Sequence, residues 1–312
     1  MLKKIRHLQA RMGVFFRRIV LPGFEGENLY DVGTFFWKGF TTASVGTRSA
    51  AVTYRFLIAM FPLIVGTFSL IPFVPIENFQ DDILLYIQNF FPPQVYDFFH
   101  EPLEDLILRK RTLLLSIGFV VTLYFASAGI NALLEAFSAS YHLEVKRKFY
   151  KQQLWSLGLL FFFLLLSILL TLISSLGQML IDSLSESEIF GGNFNWFIMT
   201  SFKNILLIGL YYAAITTLYN IGHTEKTKWK FFSVGATAAA LGILLMQKGF
   251  SFYLTYVAKF DKLYGPLGAA IGFLLFFYYL FYILIIGFEL NVAIHHAKKT
   301  RIKKDLISSN TD

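Results

Sequence analysis

The chain has 312 residues, 55% hydrophobic and only 15% charged, with 36 Phe, 16 Tyr and no Cys. Soluble domains carry about 25% charged residues, so the composition excludes a soluble globular protein, and its apolar content excludes disorder. It predicts an all-α polytopic membrane protein in which the net charge of +8 reports topology, and in which disulfides, thiolate metal sites and Cys nucleophiles are ruled out.

Residues 1–48 read as a cytoplasmic interfacial region. Leu2, Ile5, Leu8, Met12, Phe15, Phe16 and Ile19 recur at helical spacing with basic residues between them. That pattern predicts an amphipathic helix on an anionic leaflet, or a leader helix docked on the protein itself. A six-helix transmembrane domain follows over 49–295, with spans near 49–74, 113–140, 153–181, 201–221, 231–258 and 267–295. Each reaches the roughly 20 apolar residues that a bilayer core requires, and no β-barrel alternation is present. Between the first two spans, the loop 75–112 is acidic through Glu77, Asp81, Asp82, Asp97, Glu101, Glu104 and Asp105. Its apolar spacing predicts two short amphipathic helices hinged at Pro92-Pro93, packed as a cap over the bundle or presented to a partner. A basic tail occupies 296–312.

Lys and Arg concentrate in the N-terminal region, in the loops around Lys146–Lys151 and Lys226–Lys230, and in the tail from Lys298 to Lys304. The opposite loops carry Arg109, Lys110, Arg111, Lys259 and Lys262. By the positive-inside rule both termini are cytoplasmic, as an even number of spans requires.

Ionisable residues inside spans cost at least about 2.5–3.5 kcal/mol at a helix centre and normally face the bundle interior. Arg55, Glu135 and Glu289 fall at a common depth, roughly 10 Å from the cytoplasmic side at 1.5 Å per residue. They are expected to form an ion-pair cluster, serving as a gate or substrate site or as a structural network fixing helix register. Asn131 precedes Glu135 by four residues and shares its face. Lys248, beside Gln247, lies deeper in the fifth span, where it meets an anionic headgroup or a substrate, or snorkels to the outer interface. Ser167, Thr171, Ser174 and Gln178 form a polar stripe on the third span, expected to serve helix packing in preference to lining a path. Pro62 predicts a kink, either a hinge or a static bend.

Phosphate-binding GxxxxGK loops, HExxH and GxSxG are absent from the sequence. Of the six histidines only His295 and His296 are neighbours, and adjacent helical residues point in different directions. The reading is therefore a non-enzyme without cofactor or metal, and without nucleic acid as a partner.

Several stretches resemble the YihY/BrkB family of bacterial inner-membrane proteins, over about Gly46 to Asn291. They are Arg48-Ser-Ala-Ala-Val-Thr-Tyr54 leading to Met60-Phe-Pro62, and Tyr124-Phe-Ala-Ser127 through Asn131 and Tyr141. The last third adds Gly235-Ala236, Tyr253, Tyr264-Gly265, Leu267-Gly268 and Gly287-Phe-Glu-Leu-Asn291. Tyr278-Tyr279 departs from a Trp-Leu-Tyr type stretch, and Arg55 stands at a usually uncharged position. The resemblance implies six helices with both termini inside. It also implies transporter-like members, some linked to export of lipid or lipopolysaccharide precursors, and a historical ribonuclease label that the short basic loops do not support.

The function expected from these readings is an inner-membrane transporter or flippase-like protein for a lipid or amphipathic anion. The alternative is a non-transporting scaffold of an envelope complex. Membrane lipids are the expected partners, with envelope proteins as further ones, and the oligomeric state is left open. The candidate intramembrane polar site comprises Arg55, Asn131, Glu135, Gln247, Lys248, Glu289 and Asn291.

Overall fold

A computed structural model describes residues 17–90, 93–109, 112–140, 143, 147–185, 193–224, 229–256 and 266–309. Most of the amphipathic leader helix, Pro92 of the expected hinge, and Tyr141, Tyr264 and Gly265 of the family-like stretches lie outside these residues. Nine α-helices occur among the described residues: α1 Leu29–Thr42, α2 Val45–Phe68, α3 Phe79–Phe90, α4 Pro93–Leu108, α5 Thr112–Ser138, α6 Phe149–Ser185, α7 Asn193–Gly222, α8 Val234–Tyr256 and α9 Pro266–Ser309. A 3-10 turn at Ile71–Phe73 follows α2. Six helices are long and apolar enough to cross a membrane, α2 and α5 to α9. The fold is thus all-α and polytopic, with spans close to those read from hydropathy.

Local sequence explains the start of the helical domain. Asn28 caps α1, its side chain accepting from the Asp31 N–H at 2.8 Å, with Asp31 placed in the first turn. That geometry satisfies one of the donors a helix start leaves orphaned. At the other end Ser44 takes φ +47°, turning the chain directly into α2. On α6, Phe161, Leu164, Leu165, Ile168 and Leu172 are exposed, a surface suited to acyl chains rather than water.

Three helices outrun their expected spans. α6 covers 37 residues, α7 covers 30 and α9 covers 44. At 1.5 Å per residue α9 is about 66 Å long, roughly twice a hydrocarbon core of about 30 Å. The basic tail is therefore not a separate segment through Ser309: it continues α9 unbroken, because Ala, Lys, Arg and Ile there favour helix and no Gly or Pro intervenes.

The chain divides into two compact units, one of residues 1–53 with 133–312 and one of residues 54–132. In the larger unit α9 packs on α8 and α1, α7 packs on α6 and α8, and buried Phe24, Val32, Ile294 and Ala297 form a core under α1. The α8–α9 crossing is set by glycine. A Cβ on Gly287 would lie 2.6 Å from the Gly235 carbonyl oxygen, so the two backbones meet there directly. Phe137 stacks on Phe288 with centroids 4.2 Å apart, and Tyr219 meets both rings edge-on.

In the smaller unit the loop 75–112 forms the two expected short helices, α3 and α4. Ile71, Ile87 and Ile107 are buried together, with Phe68 at the end of α2 and Leu103 packed against them. The pair therefore buries its apolar faces on the end of α2. Within the same unit α2 and α5 approach closely at Gly66, where a Cβ would lie 2.9 Å from Thr122 Cβ. The Thr122 hydroxyl donates to the Pro62 carbonyl oxygen at 3.1 Å, bracing the helix at its proline.

Candidate functional site

Glu289 lies in the middle of α9 with 1% of its surface exposed. Its carboxylate accepts from Arg48 Nη2 at 2.5 Å and from the Ser140 hydroxyl at 2.8 Å. Arg48, in the first turns of α2, also donates through Nη1 to the Ala136 carbonyl oxygen at 2.6 Å. Ser140 N–H bonds Phe137 O instead of Ala136 O, so the guanidinium covers a carbonyl that the end of α5 leaves unpaired. One buried charge pair thus ties α2, α5 and α9 together. Both Glu289 oxygens and both Arg48 terminal nitrogens are thus engaged in a charge-assisted pair, while the buried Arg48 Nε–H has no partner among the described residues.

The arginine in this pair is not the expected one. The sequence leaves Arg55 to pair with Glu135 or Glu289; beside Glu289 the arginine in place is Arg48, two helical turns earlier. A residue read as a loop charge at the membrane edge turns inward because α2 begins at Val45. Arg55 itself is exposed and Glu135 is half-buried. Asn131 is buried near the end of α5. Gln247 and Lys248 are exposed on α8.

Asn291 has a structural task. Its Oδ1 accepts from the Gly235 N–H at 2.8 Å and its Nδ2 donates to the Ser233 hydroxyl at 3.0 Å. The Ser233 hydroxyl in turn accepts from the Ala236 N–H at 3.2 Å. Together they satisfy orphan donors in the first turn of α8. Asn291→Ala is expected to lower stability by about 1–2 kcal/mol, measured as a thermal shift of the detergent-solubilised protein; an unchanged midpoint would show that water substitutes fully for the amide.

A cavity of about 230 Å³ opens beside this cap. Its walls include Tyr219, Asn220, His223, Phe288, Asn291 and His295, with Gly23, Glu25 and Lys230 at the loop side. His223 and His295, 72 positions apart in sequence, stand edge to face with centroids 5.3 Å apart. The sequence neighbours His295 and His296 point in different directions, as adjacent helical residues do, and His296 packs against Phe35. Arg147 donates to the His223 carbonyl at 3.0 Å and to the Ile221 carbonyl, closing the end of α7, and burial lowers its pKa. Among the described residues no group of three His, Cys, Asp or Glu is arranged to hold a metal.

The loop 19–28 is bound to this end of the unit by charge. Glu25 pairs with Lys230 and, at 2.9 Å, with Lys298, while Arg301 reaches Glu27 at 3.3 Å and the Gly26 carbonyl at 3.0 Å. Burial first, and then repulsion from Lys298, lowers the pKa of Lys230. None of these residues except the basic loop charges stood out in the sequence, since an acidic residue in a short loop before α1 carries no local signal.

The sequence model of the family described as Virulence factor BrkB matches residues 36–310. The chain is 27% identical over 257 residues to YfkH of Bacillus subtilis, whose printed name calls it ribonuclease-like, covering 81% of this chain and 91% of YfkH. It is 26% identical over 251 residues to a UPF0761 membrane protein of Chromohalobacter salexigens, covering 78% of this chain and 58% of that protein. UPF0761 membrane protein VV0203 of Vibrio vulnificus is 24% identical over 278 residues, covering 85% of this chain and 82% of VV0203. No solved structure matches the chain.

Proposed function

The chain belongs to the BrkB family and is a multi-pass membrane protein, and from this premise we propose that it is a transporter or flippase-like protein for a lipid or amphipathic anion. The observation that carries the reading is the cavity between α7, α9 and the two loops, with aromatic and histidine walls on one side and Lys230 on the other. An apolar cavity with a few convergent polar groups is the usual form of a ligand site. Its volume, about 230 Å³, is below the roughly 300–1,000 Å³ of drug-sized ligands. It suits a head group whose acyl chains remain in the bilayer.

The reading also places the protein in a bacterial inner membrane with both termini cytoplasmic, supported by the concentration of Lys and Arg in the loops before α6 and α8 and along the end of α9. That orientation puts the cavity near the cytoplasmic leaflet. No enzymatic step is part of the proposal, and the ribonuclease-like name remains YfkH's own.

Reconstitution tests it. Liposomes containing the purified protein and a fluorescently tagged anionic phospholipid are treated with dithionite, which bleaches only the outer leaflet. Transport predicts that the protected half of the signal disappears in a protein-dependent way. Full protection equal to that of empty liposomes, across several head groups and with an imposed proton gradient, would leave the scaffold reading standing in its place.

A further inference from the structure

We propose that Lys230 and Lys298 form an oxyanion site at the edge of the cavity, and that the Glu25 carboxylate occupies it as a built-in competitor that a phosphate group displaces. The inference rests on the reading of the cavity as a head-group pocket and assigns that pocket its charge chemistry and its resting plug.

Two ammonium groups converge on one carboxylate from separate elements, Lys230 from the loop before α8 and Lys298 from α9, each taking a different oxygen of Glu25. Both positions are held independently of that carboxylate. Asn220 accepts from the Lys230 N–H at 3.0 Å and donates to its carbonyl at 2.9 Å, clamping residue 230 in place. Lys298 stands on a continuous helix whose neighbouring Ala297 is 2% exposed in the core under α1. The pair is therefore preorganised for a bridging oxyanion, and its mutual repulsion is relieved only when one is bound.

Glu25 has the features of a displaceable occupant. It lies between Gly23 at φ +88° and Gly26 at φ +82°, and it takes φ +55° itself, a left-handed conformation unfavourable for a residue with a side chain. Phe24 next to it is 5% exposed and anchors the loop in the core. The carboxylate can thus swing off the lysines by side-chain rotation while the loop stays docked. The lysines are reachable from outside, with 44% and 41% of their side chains exposed. A phosphate ester offers the same pair of bridging oxygens with more charge, and Glu25 and Lys230 both line the cavity that would receive the rest of the head group.

The test uses the full chain in maltoside detergent, which carries no phosphate. Binding of short-chain dioctanoyl phosphatidic acid and, separately, of glycerol 3-phosphate is measured by calorimetry on wild type, Glu25→Gln, Lys230→Gln and Lys298→Gln. If Glu25 holds the lysines nine-tenths of the time, its removal tightens binding about tenfold, and either lysine variant weakens it at least tenfold. Lys298→Arg is expected to restore binding, which a folding defect would not allow, and monodispersity on size exclusion accompanies each variant. Binding of the lipid alone assigns the site to a membrane head group; binding of glycerol 3-phosphate as well assigns it to the phosphate itself. Equal affinity of Glu25→Gln and wild type overturns the plug. Affinity unaltered in both lysine variants, or no binding of either probe, overturns the site. If the site fails by these criteria while the protein still abolishes dithionite protection in liposomes, the transport reading survives and only this site is rejected. If the lysine variants lose binding and the wild type leaves that protection intact, the site stands and the transport reading falls.

Discussion

Arg48→Met is expected to lower the thermal midpoint of the detergent-solubilised protein by roughly 5–15 °C, the equivalent of about 3–5 kcal/mol for removal of one member of a buried charge pair. The mutation leaves Glu289, 1% exposed, with only the Ser140 hydroxyl as donor. It also strips the Ala136 carbonyl of its cap. A carboxyl deprived of its counter-ion can take up a proton and recover part of the loss, which sets the lower end of the range. Glu289→Gln alone should be similarly damaging, because it strands a guanidinium whose side chain is 10% exposed. The double variant should cost less than the sum of the two, with a coupling above about 1 kcal/mol, as residues in one charge network normally show. Strict additivity would mean that the two groups are solvated separately and that the network does not hold α2, α5 and α9 together. The same cycle run on lipid movement separates structure from mechanism: coupling in stability with unaltered movement per folded molecule confines the pair to architecture.

Gly287→Leu should be comparably damaging, and Gly249→Ala should go the other way. A Cβ at residue 287 would fall 2.5 Å from the Tyr219 hydroxyl oxygen, 2.6 Å from the Gly235 carbonyl oxygen and 2.9 Å from Ala239 Cβ. The obstructing atoms include backbone, so relief requires α8 and α9 to move apart. That separation would pull Asn291 from the first turn of α8 and Tyr219 from its bond to the Leu284 carbonyl at 2.7 Å. Overpacking a dense contact costs about 1–3 kcal/mol and occasionally more, and the added loss of two hydrogen bonds places this case at about 3 kcal/mol or above. Gly249 has nothing within 4 Å of a built Cβ. There alanine gains helix propensity of up to about 1 kcal/mol. Opposite signs at two glycines of neighbouring helices, read from the fraction of monodisperse protein after heating, would confirm that α8 and α9 meet backbone to backbone. A harmless Gly287→Leu would show that the crossing is loose.

Composition and hydropathy by themselves determined the class of this protein. A run such as Leu159–Leu166 has one physical solution, a helix in lipid, because every backbone polar group must be satisfied inside the segment. The six spans and the two short helices of the acidic loop follow from that constraint and from 3.6-residue periodicity, both local properties. The ends of the spans were less legible. The hydropathy boundary near residue 295 marks where lipid gives way to water, whereas α9 runs on to Ser309 because helix propensity does not change there.

Which charges meet was decided only by the tertiary structure. Depth along each helix correctly marked Glu289 as a buried acid needing a partner, but depth fixes one coordinate and leaves rotation about the helix axis free. That rotation brings Arg48 to Glu289. The cavity is of the same kind, since Glu25 from the loop before α1, His223 and Lys230 from the loop between α7 and α8, and His295 on α9 are brought together there. So is the use of Asn291, which the family-like stretch marked as notable and which the fold employs to cap a helix more than fifty residues earlier. A chain in a membrane announces its helices through the solvent it must match; the packing of their polar faces depends on long-range contacts that no local pattern encodes.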